Sequence, residues 1–196
     1  MNIKIKEFII PVITLVVIAS LSAFLLGYVH DKTFNAIQKA KDNQILQAIS
    51  DVAGEFDNDP FAEKTTIYTK NKKDKLTLYP ARKNGKLTSV AIKSYSNSGF
   101  GGRIEIMTGI NVSGAIKTFK VISSNETPGL GSKVDEPKFK EQLVDFYPHR
   151  QILKVKQDGG DIDAVTAATI SSRAVLKAIE RAFDAFTNFN SGGNNE

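Results

Sequence analysis

The chain has no cysteine, no tryptophan and only two histidines in 196 residues. Without thiols there is no disulfide, no thiolate-held iron–sulfur cluster, no C-x-x-C-H haem attachment and no lipidated cysteine. With only His30 and His149, a histidine-rich metal site is excluded as well. His30 reads as a membrane-interface residue, and His149, between Pro148 and Arg150, as a surface loop residue. The charge balance is also modest, a net +5 spread along the chain. Its densest cluster, Lys70, Lys72, Lys73 and Lys75, alternates with Asn71 and Asp74, the pattern of a solvated turn. No basic helix with interleaved aromatics is present, so no nucleic-acid partner is expected. No internal repeat is evident.

What the chain does have is one long apolar run. Residues 8–29 carry no charged side chain, and as a helix they would extend ~33 Å, enough to cross a hydrocarbon core. The apolar region of a signal peptide is shorter and ends at small residues; here Phe24, Leu25 and Leu26 continue the run past Ser20 and Ala23. An uncleaved anchor is therefore expected, with Pro11 in its first helical turn. Lys4 and Lys6 precede the span, while only Asp31 and Lys32 follow it closely. The positive-inside rule then leaves residues 1–7 in the cytoplasm, 8–29 in the membrane and 30–187 outside as one domain. Residues 188–196 read as a flexible polar tail.

Residues 31–53 have the spacing of a helix, with Phe34, Ile37, Ile45, Ala48, Ile49 and Val52 on one side and a stop at Gly54. From there the period shifts towards two, giving β-prone runs at 65–69, 75–79, 87–95, 103–110 and 115–123. Asn84-Gly85, the glycines at 99–102 and Ser113-Gly114 separate them, turn signals that favour antiparallel hairpins. A short helix is expected at 138–146, started by Pro137 with Phe139, Leu143 and Phe146 inward. A last amphipathic helix carries Val175, Ala178, Ile179, Ala182, Phe183 and Phe186 on one face. The expected class is α+β, a twisted antiparallel sheet with packed helices, preceded by one transmembrane helix.

Hydroxyls and small side chains gather where that last helix begins: Asp163, Thr166, Ala167, Ala168, Thr169, Ile170, Ser171 and Ser172. Helix N-termini collect anions, because their first N–H groups lack intrahelical acceptors and the peptide dipoles favour negative charge. Simple capping by Ser or Thr accounts for the same pattern, so spacing alone leaves both readings open. Upstream, Thr127-Pro128-Gly129-Leu130-Gly131 is a turn in which Pro128 fixes φ and Gly129 accepts a positive φ. Its glycines also allow backbone to approach a flat ligand, with Leu130 offering an apolar contact and Glu126 and Thr127 polar ones.

The stretch at 163–172 resembles the D-x-x-[ST]-G-A-T-x-[ST] motif of the FMN-binding domain family. That domain is shared by the G subunit of the Rnf complex and the C subunit of the sodium-pumping NADH:quinone reductase. Asp163, Thr166, Ala168, Thr169 and Ser171 match position by position, while Ala167 stands where the family has glycine and Ser171 where it more often has threonine. Residues 125–131 are similar to the family's E-T-P-G-L-G loop, and Gly99-Phe100-Gly101-Gly102 is a weaker third match. The resemblance covers roughly residues 90–185. It implies FMN bound covalently through its phosphate to Ser171, with the ring near Glu126, Thr127, Gly129, Leu130 and Gly131.

The resemblance further implies a membrane-anchored electron relay with no catalytic residue of its own. A separate flavin transferase would mature it, and the other membrane subunits of an Rnf-type complex would be its partners. Chain length favours the G component of Rnf over the C component of the reductase. No G-x-G-x-x-G follows a strand and the span holds no acidic residue, so neither NAD nor the transported ion is expected on this chain. An anchored extracytoplasmic binding or sensor domain for a different phosphate-bearing ligand is the other reading.

Overall fold

The computed structural model describes residues 2–69 and 75–192. Lys70, Lys72 and Lys73 of the basic cluster, and residues 193–196 of the expected tail, lie outside the described residues. Helix α1 runs Asn2–Ala53, so the apolar span and the helix expected after it are one helix. Pro11 falls inside α1 and not in its first turn; its missing N–H leaves a carbonyl one turn earlier without a helical donor.

Packing divides the chain after Asn43. In the first unit the large apolar side chains stay exposed, Leu15 and Phe24 at 70% and Leu26 at 72%. A helix apolar on all sides satisfies its backbone internally and presents side chains suited to lipid. Among the described residues it is the one helix long and apolar enough to cross a membrane, and it fits a membrane anchor.

The second unit begins at Gln44 and holds a five-stranded antiparallel sheet whose strands follow chain order. The strands are β1 (Thr65–Tyr68), β2 (Lys75–Lys83), β3 (Lys86–Gly99), β4 (Gly102–Asn111) and β5 (Ile116–Ser124). They are mostly longer than the periodicity suggested. Meander topology follows from the short connections; Asn84 at φ 52° and Gly85 at φ 72° make the tight turn between β2 and β3.

Both faces of the sheet are covered, which is why β3 and β4 depart from simple alternation. On one face the last turns of α1, with Ala48, Ile49, Val52 and Ala53, pack on Tyr79, Ala81, Ala91 and Met107. The end of that helix is tied down by Ser89 Oγ and Lys117 Nζ, each donating to the Ala53 carbonyl at 2.7 Å. On the other face lies α3 (Thr169–Asn190). Its Ala174, Val175, Ala178 and Ile179 join Ile104, Ile106, Ile116 and Phe119 in the largest core cluster. The alanines let α3 come close enough for Ser94 Oγ on β3 to donate to the Ala178 carbonyl at 2.7 Å.

Two segments differ from their sequence pattern. The helix expected at 138–146 is only α2 (Pro137–Lys140) followed by a 3₁₀ turn, Glu141–Leu143. Phe139, Leu143 and Phe146 are buried as their spacing implies. Asp145, however, turns to φ 54°, and Phe146 bridges to Ile116, whose N–H donates to its carbonyl at 2.9 Å. Strand pairing wins over helix continuation there. At the C-terminus α3 carries residues 188–190 of the expected tail, with Asn188 Nδ2 donating to the Tyr68 carbonyl at 2.9 Å.

Candidate functional site

The tip of the β3–β4 hairpin and the exit from β5 lie at the same end of the sheet, because neighbouring antiparallel strands share their ends. The N-terminus of α3 arrives at this end too. Phe100, Glu126, Thr127, Leu130, Gly131, Ala167, Ala168, Thr169, Ile170 and Ser171 line one cavity of about 370 Å³ there, a volume in the range of small-ligand sites.

Glu126 is the polar centre of this cavity. It follows the end of β5, is only 8% exposed, and both carboxylate oxygens are engaged. Oε2 accepts from Ser171 Oγ at 2.6 Å and Oε1 from the Gly101 N–H at 3.1 Å. Both donors are neutral. Gly131 makes room for this pairing: a methyl there would run into Glu126 Oε2 and would come within 2.7 Å of Ser171 Oγ. Ahead of it, Thr127 to Leu130 form a type II turn. The Leu130 N–H donates to the Thr127 carbonyl at 3.2 Å, and Gly129 sits at φ 76°. A side chain on Gly129 would meet open space, so the crowded glycine of this loop is Gly131.

The start of α3 is unusual. Ala168 occupies the N-cap position and no side chain caps the helix, so the first-turn N–H groups are left for another acceptor. Capping by the neighbouring hydroxyls, open on the sequence alone, is not what they do. Ser172 Oγ is buried, accepting from the Val165 N–H at 3.0 Å and donating to the Ala168 carbonyl at 3.0 Å; it holds the turn and does not face the cavity. Asp163 is exposed and paired with Lys156 at 2.8 Å. Together with Thr166 it lines a neighbouring cavity of about 260 Å³ beside Lys133 and Phe139. Ser171 is 2% exposed, with its hydroxyl turned to Glu126.

Ala167, which stands where the resembled motif has glycine, has φ 61°. The left-handed turn is therefore kept although the residue carries a Cβ, which costs about 1–2 kcal/mol. Ala167→Gly is expected to raise unfolding stability by about 1 kcal/mol, net of the extra freedom glycine gives the unfolded chain. Chemical denaturation of the full chain in detergent measures it; an unchanged or lower midpoint would show the turn to be unstrained. Nearby, Arg173 clamps Asp158 through two 2.7 Å bonds, and hydrogen bonding to this guanidinium holds the Asp158 carboxyl below its ordinary range. The clamp ties the first turns of α3 to a 3₁₀ turn at Lys156–Asp158.

Phe100 was not among the expected site residues. It is 71% exposed at the hairpin tip and forms part of the cavity wall, with Leu130 and Ile170 exposed at 45% and 48%. Its sequence signals were an aromatic between glycines and the weaker third match at 99–102. A larger cavity, about 660 Å³, lies against the C-terminal half of α3 and is lined in part by His149, Lys154, Glu180 and Asp184. Carboxylates and the negative end of the helix dipole make it a poor phosphate seat.

An FMN phosphate and ring fit the first cavity in kind. The site offers an uncapped helix N-terminus, a buried hydroxyl, a glycine-lined approach and three exposed apolar side chains at its walls. A model of the FMN-binding domain family matches residues 99–184. The chain is 30% identical to the G subunit of the ion-translocating oxidoreductase complex of Vibrio atlanticus, over 87% of this chain and 86% of that one. Identity is 33% to the Vibrio parahaemolyticus protein of the same name, over 85% and 83%, and 30% to that of Shewanella oneidensis, over 88% and 86%. Among solved structures, the crystal structure of Shewanella oneidensis NqrC aligns with a TM-score of 0.50 at 24% identity. That alignment covers 60% of each chain and shows likeness of fold.

Proposed function

We propose that this chain, which belongs to the G-subunit family of ion-translocating oxidoreductase complexes, is a flavin-carrying electron-transfer subunit with FMN joined through its phosphate to Ser171. The observation that carries the reading is the cavity in which the uncapped start of α3, the Ser171 hydroxyl and the Glu126 to Gly131 loop meet. When bound, the flavin supplies one-electron chemistry that no side chain here could provide. The chain's residues do the rest. The free N–H groups of the first turn of α3 receive phosphate oxygens. Phe100, Leu130 and Ile170 shield the ring from water, and the Thr127 to Leu130 turn brings backbone against it. No acid–base side chain is required for electron transfer itself.

The proposed placement is residues 1–7 in the cytoplasm, residues 8–29 in the cell membrane, and the domain with Ser171 outside the cytoplasm. A separate flavin transferase would reach it there, and the other membrane subunits of an Rnf-type complex would exchange electrons with it. The G-subunit relatives align over most of their length, which favours this complex over a sodium-pumping quinone reductase. In-gel flavin fluorescence of the chain purified from its own host tests the attachment: fluorescence should survive denaturation, and a colourless denatured chain with free flavin would rule out the bond. Protease added to intact spheroplasts should digest the main domain. Complete protection until lysis would invert the topology.

A further inference from the structure

We infer that the cavity against the C-terminal half of α3 is a second binding site, which takes a small organic cation with an apolar body. It shares no lining residue with the cavity at the start of α3 and does not rest on the flavin reading. Its volume, about 660 Å³, is in the range of small-ligand sites. Phe183, Leu153 and Ile152 give it apolar walls, with Ile152 left 54% exposed. His149 meets the Phe183 ring edge-on, at 4.9 Å between centroids. A flat or aliphatic body can rest against these side chains, and an aromatic face attracts a cation.

The sign of the ligand follows from the charges that line the cavity. Glu180 and Asp184 stand one turn apart on α3, the i,i+4 spacing at which like charges repel. Among the described residues, neither carboxylate has a hydrogen-bond or ion-pair partner. The helix ends beside them with no basic residue in its last turn, so the negative end of its dipole is uncompensated. Neighbouring cations are directed elsewhere. Arg181 lies over the Tyr95 ring at 4.5 Å and Arg150 over Tyr147 at 5.4 Å. Lys154, the one lysine or arginine in the lining, lies within electrostatic reach of Asp158.

Neutral polar side chains of the lining are engaged within the fold. Thr187 Oγ1 donates to the Phe183 carbonyl at 3.0 Å, Ser191 Oγ to the Thr187 carbonyl at 2.7 Å and Asn188 Nδ2 to the Tyr68 carbonyl at 2.9 Å. What is left for a ligand is an apolar and aromatic wall with two carboxylates at its edge. An amidinium, guanidinium or ammonium group on an aromatic or aliphatic body matches both parts. Its charge would also relieve the repulsion between Glu180 and Asp184.

The test is a ligand-observed NMR titration of the full chain in a non-ionic detergent, with benzamidinium as the probe and benzamide as its neutral isostere. Benzamidinium should bind more tightly than benzamide by about tenfold or more, and added salt should weaken it. Glu180→Gln and Asp184→Asn should each weaken benzamidinium by about fivefold, the effect of one unit charge at contact in water, while leaving benzamide unchanged. Each variant removes a repelled charge, so its thermal unfolding midpoint should be unchanged or raised. A lowered midpoint would show that the carboxylate serves the fold and would overturn the site. Equal affinity for the two probes, or benzamidinium binding that ignores both substitutions, would overturn it as well. So would binding by the isolated chain that disappears in the complex purified from the same host, since a basic side chain of a neighbouring subunit would then fill the cavity. None of these outcomes bears on flavin at Ser171.

Discussion

Ser171→Ala is expected to leave the chain with no covalent flavin, whatever transferase and flavin are supplied. The substitution removes the one hydroxyl that both lines the cavity and is engaged by Glu126. The fold should survive. Glu126 loses one of its two donors but keeps the Gly101 N–H, so the cost is that of a partly satisfied buried acceptor, about 1–3 kcal/mol. Ser171→Thr retains the hydroxyl and should retain attachment. Ser172→Ala is the matched control. It breaks the contacts that hold the turn and should lower stability by about 1 kcal/mol while the flavin still attaches. Peptide mass spectrometry decides the register, and an adduct on Thr169 or Ser172 in the wild type would show that Ser171 is the wrong oxygen.

Gly131→Ala should also suppress flavin loading, by a different route. The added methyl would collide with Glu126 Oε2 and lie 2.7 Å from Ser171 Oγ and 2.9 Å from Glu126 Cβ. The carboxylate would have to leave its place between the hairpin tip and α3. Overpacking of this kind costs about 1–3 kcal/mol, and the displaced carboxylate would no longer hold the serine. The expected result is a folded chain with a lowered unfolding midpoint and a flavin content reduced at least tenfold, read from absorbance of the denatured protein. Gly129→Ala makes the comparison: its methyl would enter open space, so its cost comes from φ 76° alone, and loading should persist. Equal loading of the two variants would remove the Glu126–Ser171 contact from the site's requirements.

The sequence by itself determined what local patterning can encode. The uncharged run at 8–29 sets a helix suited to lipid, because length and apolarity alone decide that. Asn84-Gly85 and the glycines at 99–102 set hairpins, because their backbone conformations are intrinsic to those residues. The 3.6-residue spacing from Val175 to Phe186 set the buried face of α3, and the small and hydroxyl residues before it marked where the helix begins.

Only the tertiary structure decided which of those residues meet. Glu126 and Ser171 are 45 positions apart, and no local pattern records that β5 ends where α3 starts. Packing also turned Ser172 inward to its own turn, directed Asp163 to Lys156, and brought Phe100 to the cavity wall from a separate hairpin. Ala167 shows the same limit at the level of the backbone. Its residue type argues against φ 61°, yet Val165, Ala168 and Ser172 close the turn around it through their hydrogen bonds. Side-chain partners across a fold depend on strand register and helix docking, which are set by the whole core, and so the chemistry of the site emerges only once that core is assembled.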